Sequence, residues 1–295
     1  MNQRKLGPFG VEPVKLILQA SKAGDCTLDP QVIYIDDKGE TKACKPDPVT
    51  VNVRPMLHAR IGEETVSVPI MLGRVATGSA DLDVLLFGGL PENCTVALTS
   101  PPSDERETLI KNYLETGIKL GETTFHITTE AANTKALPDR YPSNFFLFVC
   151  NPLADSIVQS ASNVFKLKGV ENLTDIDIAL TKALRILKPS ESGPRRICLE
   201  IISDALLQHH AVTTRRWLSA LLPTLKSQGF TILAVIDPHM HPPEEVQSIL
   251  GLFDGEIRIT EKETPEGIKQ TLRVRKLVNQ RYLEKEIILT KEKPS

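Results

Sequence analysis

The residues richest in chemistry lie in one run. Ser100-Pro101-Pro102-Ser103-Asp104-Glu105-Arg106-Glu107-Thr108-Leu109 joins an apolar stretch, Cys94–Thr99, to a helix-like one, Glu105–Leu120. Asp104, Glu105 and Glu107 place three carboxylates around one guanidinium, that of Arg106. The run reads as a helix start: proline suits a first turn, Ser100 or Ser103 can cap, and acids favour the positive end of the helix dipole. Histidines form a second group. His209-His210 and His239-Met240-His241, with Asp237 beside the latter, could in principle hold a metal. Adjacent histidines diverge on a helix, so loop and helix-end histidines are the plainer reading and no metal site is expected. The five cysteines, Cys26, Cys44, Cys94, Cys150 and Cys198, include no CxxC pair. Cys94, Cys150 and Cys198 lie in apolar runs and read as buried small hydrophobes, whereas Cys26 and Cys44 could face each other in a small sheet. No GxSxG or HExxH motif occurs.

The elements that must position these groups alternate. Before about residue 65 the chain reads as short strands: Val14–Ala20, then Gln31–Ile35 and Glu40–Cys44 around a turn with Gly39, then Val51–Val53. From Val66, strand-like runs at Cys94–Thr99, Thr124–Thr128, Phe145–Cys150, Arg196–Ile202 and Phe230–Ile236 alternate with helical periods at Glu105–Leu120, Asp175–Leu187, Val212–Gln228 and Pro243–Leu252. Gly255–Ile259, Thr271–Leu277 and Glu286–Leu289 close with hairpin character. Alternating β and α implies a largely parallel sheet covered by helices on both faces. The expected division is a small β domain or partial β-sandwich over 1–65 and an α/β domain over 66–295. Trp217 falls on the apolar stripe of its helix, and Arg195-Arg196 and Arg215-Arg216 read as solvated.

Composition narrows the function classes. Lys plus Arg is 35 and Asp plus Glu is 37, a net charge of −2, so a generally basic nucleic-acid binder is excluded. Gly 17 and Pro 21 are ordinary and rule out collagen-like or low-complexity chains. No apolar run reaches the ~18 residues of a membrane span, and no long apolar core follows the basic Met1–Lys5, so a cytoplasmic protein is the expectation.

The run Thr77-Gly78…Leu82-Asp83…Leu85-Leu86-Phe87-Gly88-Gly89-Leu90-Pro91 resembles the opening of KaiC-like domains of the RecA-type ATPase superfamily. The resemblance extends from about Arg74 to Leu289. It implies a RecA-like sheet, ATP and Mg2+ as ligands, and a phosphate loop G-x-x-x-x-G-K-[ST] after Thr99, whose amides cradle phosphates. Here the loop is degenerate: Ser100 and Glu105 replace the two glycines, Arg106 the lysine and Glu107 the Mg2+-binding hydroxyl, with Thr108 one place late. A carboxylate ~4–6 Å from a phosphate repels it by about a kcal/mol or more. Glu130 matches the family's catalytic glutamate, which orients the attacking water, and Glu200 stands in the position of the Walker-B aspartate, with Asp204 as an alternative acid. A late K-x-R pattern aligns with Lys276-Leu277-Val278, near Arg273, Arg275 and Arg281.

The expectation is a pseudo-ATPase: a KaiC-like module without ordinary ATP hydrolysis and with no cofactor. It would work as a regulatory or scaffolding element with a protein partner or with itself, a ring homo-oligomer included. The alternative is a divergent ATPase using Arg106, Thr108, Glu130 and Glu200 with ATP and Mg2+. Nucleic-acid binding, as in recombinases of the superfamily, is not favoured by the charge balance.

Overall fold

The computed structural model describes residues 24–53, 56–61, 64–187, 193–264 and 267–289. The chain divides into two compact units, Met1–Pro55 and Met56–Ser295.

In the first unit, β1 (Gly24–Leu28) pairs antiparallel with the later β4 (Val49–Val53), and β2 (Val32–Ile35) forms a hairpin with β3 (Thr41–Cys44). Asp36 builds the hairpin turn: its Oδ1 accepts from the amides of Lys38 and Glu40, and Gly39 takes the left-handed conformation at φ +82°. Cys26 and Cys44 are free and exposed, on different two-stranded sheets opposite Val51 and Val32. The expected strand Val14–Ala20 lies outside the described residues.

The second unit opens with the hairpin β5 (Met56–Ile61) and β6 (Glu64–Pro69), then β7 (Arg74–Val75), α1 (Ala80–Leu85) and β8 (Leu90–Pro91). The alternating part follows as β9 (Thr95–Thr99), α2 (Asp104–Lys119), β10 (Thr123–Thr128), α3 (Leu137–Arg140), β11 (Phe145–Cys150), α4 (Ala154–Ile157), β12 (Val164–Leu167), α5 (Leu173–Ile186), β13 (Arg195–Leu199), α6 (Ile202–Ser227), β14 (Phe230–Ile236) and α7 (Pro243–Leu250). It ends in β15 (Gly255–Thr264), β16 (Gly267–Leu277) and β17 (Glu286–Leu289). One nine-stranded sheet has the order β12-β11-β10-β13-β14-β9-β15-β16-β17. Its neighbours are parallel from β12 to β15, and β16 and β17 join antiparallel. The expected mostly parallel α/β architecture is therefore present. No helix among the described residues is long and apolar enough to cross a membrane.

Side chains on successive strand residues point to opposite faces, and this splits the core in two. In β11, Phe145, Leu147 and Val149 pack on the α1 and α2 side, whereas Phe146, Phe148 and Cys150 pack on the side of α5, α6 and α7. The second core holds an aromatic group in which Phe125 meets Phe146, Phe148 and Phe230 with ring centroids 4.9–5.4 Å apart.

Two readings of the β13 region need correction. The strand expected over Arg196–Ile202 ends at Leu199, because Ile202 already belongs to α6. Within α6, His210 leaves helical geometry at φ 57° and ψ 171°, dividing the element near the start expected at Val212. The expectation that Arg196 is solvated is overturned: its side chain is fully buried. Its Nε and Nη2 lie 2.6 and 2.5 Å from Glu122 Oε2, and its Nη1 donates to the carbonyls of Tyr113 and Ala76. The guanidinium also lies 4.8 Å from the centre of the Tyr113 ring. Gly117 in α2 leaves the room it needs, since a Cβ there would stand 2.3 Å from Arg196 Nε.

The turn carrying Thr77, Gly78 and Asp83 is a small buried network. Asp83 Oδ1 accepts from the Thr77 amide at 2.7 Å and from its hydroxyl at 2.8 Å. Gly78 has φ +81°, and a Cβ there would meet Thr116 Oγ1 at 2.3 Å. Burial pushes the Asp83 carboxyl above its usual range, and the hydrogen bonds from Thr77 oppose that shift. Asp83→Ala leaves the buried Thr77 amide unpaired and is expected to cost about 2–3 kcal/mol in urea unfolding. Asp83→Asn keeps an acceptor oxygen and is expected to retain most of that stability. Equal losses in the two variants would contradict this account.

Candidate functional site

The carboxyl ends of the central strands surround an open cavity of about 310 Å³. This is the rim at which open parallel sheets bind ligands. Helix α2 contributes Arg106 and Glu107, β10 contributes His126 and the turn after it Glu130, and the β13–α6 turn contributes Glu200 and the first turn of α6 Asp204. Pro102, just before α2, and Asp237, after β14, also line it.

The start of α2 is satisfied within the chain. Ser103 is the N-cap and its hydroxyl accepts from the Arg106 amide at 3.2 Å. Asp104, Glu105 and Glu107 all fall in the first turn, where the dipole favours negative charge. Arg106 Nη2 pairs with Glu107 Oε1 at 2.9 Å, and Asn133 Nδ2 donates to the other Glu107 oxygen. The sequence left the cap open between Ser100 and Ser103. Ser100 is fully buried instead, its amide bonded to the Ile236 carbonyl and its hydroxyl to that of Pro101. Thr108 is half-buried on α2 and is not one of the residues lining the cavity.

The acids at the rim differ in their surroundings. The Glu130 backbone closes a tight turn with the Thr128 hydroxyl, which leaves its side chain at the cavity. Asp204 Oδ2 accepts from Thr129 at 3.4 Å, and burial holds its carboxyl above the usual range. Asp237 caps the turn Pro238–Met240 by accepting from the His239 amide. Glu200 meets the buried imidazole of His126 through Oε2 and Nε2. The other ring nitrogen, Nδ1, lies 3.2 Å from Thr134 Oγ1.

His126 and Cys198 are register partners on the parallel strands β10 and β13, and Glu200 follows Cys198 on the same face. The donor atoms of these three residues lie within 4.8 Å of one another, the only such trio among the described residues. Burial drives the Cys198 thiol well above its usual range, with Glu200 and Glu107 pushing the same way and Arg106 opposing.

A family model described as ATPase, KaiC, matches residues 75–290. The chain belongs to the KaiC family of ATPases. Its fold is similar to that of the KaiC-like protein PH0186 from the hyperthermophilic archaeon Pyrococcus horikoshii OT3, at 20% identity and a TM-score of 0.52. That match covers 75% of this chain and 95% of the other, and supports a RecA-type fold. No curated protein matches in sequence. In the KaiC frame, the motif residues Thr77, Gly78 and Asp83 are explained by the buried network that they form.

Of the positions carried over from the KaiC resemblance, the structure brings Pro102, Arg106, Glu107, Glu130 and Glu200 to one cavity. Ser100, Pro101 and Ser103 belong to the strand–helix junction and Thr108 to α2, and none of them lines the cavity. Lys276 donates to the Phe253 carbonyl, and Arg281 lies over the Phe87 ring, 5.6 Å from its centre. The histidines singled out in the sequence do not gather: His209 bonds the Val170 carbonyl, His210 marks the break in α6, and His241 is buried. Sequence reasoning missed His126. The available signal was a histidine at an inward position of a strand otherwise rich in Thr, Phe and Ile.

Proposed function

We propose that this KaiC-family chain has given up ordinary ATP hydrolysis and serves as a regulatory or scaffolding module. The observation that carries this reading is the first turn of α2. Its cap is supplied by Ser103, its dipole is met by three carboxylates, and its one guanidinium is engaged by Glu107. A triphosphate placed there meets fixed negative charge where a phosphate loop would offer glycine amides and a lysine. Glu200, which resembles the Mg2+-organising acid, is engaged by His126. The residues present therefore fit Mg-ATP poorly.

Protein chains, further copies of this one included, are the partners that this reading calls for. Val32, Ile33, Tyr34 and Ile35 are all between 46% and 65% exposed, an apolar strand of the kind that docks on other proteins. Calorimetric titration of the full chain with Mg-ATP is expected to show no micromolar binding. Phosphate release is expected to stay at the blank level, unchanged by Glu130→Gln. Micromolar binding, or a release rate that Glu130→Gln lowers, would establish the divergent ATPase instead. Light scattering on the same sample separates a ring from a monomer.

A further inference from the structure

The trio beneath the cavity combines a nitrogen, a sulfur and an oxygen donor. Two of its members stand side by side on adjacent parallel strands, which fixes their spacing more firmly than a loop could. His126 is 1% exposed and Cys198 fully buried, so neither is placed as a solvated surface group. Thr134 Oγ1 stands at the second nitrogen of the imidazole, Nδ1, where it can accept the ring proton once Nε2 turns its lone pair to a metal. His126 and Glu200 also line the cavity, whereas Cys198 does not. Three protein donors with one side open to solvent is the arrangement of a zinc centre that keeps an exchangeable position.

We propose that His126 Nε2, Cys198 Sγ and a Glu200 carboxylate oxygen bind one Zn2+ ion, with the fourth position open to the cavity. The donor set selects the metal: thiolate and imidazole favour zinc, whereas Mg2+ requires oxygen ligands. Binding exchanges the His126–Glu200 hydrogen bond for two metal bonds and moves the imidazole proton to Nδ1, where it donates to Thr134. The Cys198 S–H proton leaves to solvent as the sulfur–metal bond forms, and no electron is transferred. The site needs no nucleotide, so it stands or falls separately from the loss of ATP hydrolysis.

The test uses the full chain in a Cys26→Ser, Cys44→Ser background, which removes the two exposed thiols. After dialysis against Zn2+, plasma mass spectrometry is expected to find one zinc per chain, unaffected by excess Mg2+. Substitution with Co2+ is expected to give a thiolate-to-cobalt charge-transfer band in the near ultraviolet. Cys198→Ser abolishes that band, and Glu200→Gln weakens zinc binding. Loss of an outer partner costs about 10–100-fold in affinity, so Thr134→Val falls in that range and loss of a ligand costs at least about a hundredfold. Thr134→Val and Glu200→Gln change residues at the edge of the cavity and serve if Cys198→Ser fails to fold. Substoichiometric zinc in the folded parent, a missing cobalt–thiolate band, or affinity unchanged in all folded variants would overturn the proposal.

Discussion

Replacing Glu122 by alanine is expected to destabilise the α/β unit by about 3–5 kcal/mol and to lower its Tm by about 6–20 °C. Arg196 is the reason. Its guanidinium lies between α2 and the sheet with no exposed surface, and among the described residues Glu122 is the carboxylate at salt-bridge distance, while Asp83 acts on it only at longer range. Carbonyl contacts from Tyr113 and Ala76 orient the group but do not neutralise it. Removing the carboxylate leaves a buried charge uncompensated, which is far more damaging than losing both members of the pair. The double variant Glu122→Leu with Arg196→Met removes the charge together with its partner and is expected to recover most of the loss. Urea and thermal unfolding of the three proteins checks both statements. A Glu122→Ala protein within about 1 kcal/mol of the parent would mean that the pair contributes little, as exposed pairs do.

The second large effect concerns nucleotide. Substituting Ser100→Gly, Glu105→Gly, Arg106→Lys and Glu107→Thr together is expected to raise Mg-ATP affinity by at least about a hundredfold. The variant removes two carboxylates from the first turn of α2. At ~5 Å and an effective dielectric between those of protein and water, each repels a phosphate by a little over 1 kcal/mol, and about 2.7 kcal/mol in total is a hundredfold. Glycines at 100 and 105 restore backbone freedom, and loss of Glu107 releases the cation at 106 from its present partner. Calorimetry on parent and variant reads the ratio directly. Equal affinities would show that the acidic first turn is not what opposes the nucleotide.

How much of this was legible in the sequence depended on whether the deciding contact was local. Phe145–Cys150 and Phe230–Ile236 have the expected bounds because short apolar runs flanked by polar residues have one reasonable reading. The end of β13 was misplaced because Ile201 and Ile202 extend its apolar run, although their burial belongs to a helix start. β12 went unseen because four residues containing Lys166 give no period. Glu130, Glu200, Arg106 and Glu107 were all singled out and share one cavity. Arg196 and His126 were misjudged or missed for one reason: each takes its meaning from a residue 74 positions away, Glu122 and Glu200 respectively. Register between parallel strands creates such neighbours, and no local pattern announces them.

Trp217 is the chain's one tryptophan, buried against the second core with its indole nitrogen 2.9 Å from Asp177 on α5. The molecule thus carries its own optical reporter on the face of the sheet opposite α2. Emission excited at the indole follows separation of α5 from α6. Every titration of the cavity comes with a built-in reading of whether the fold survived it.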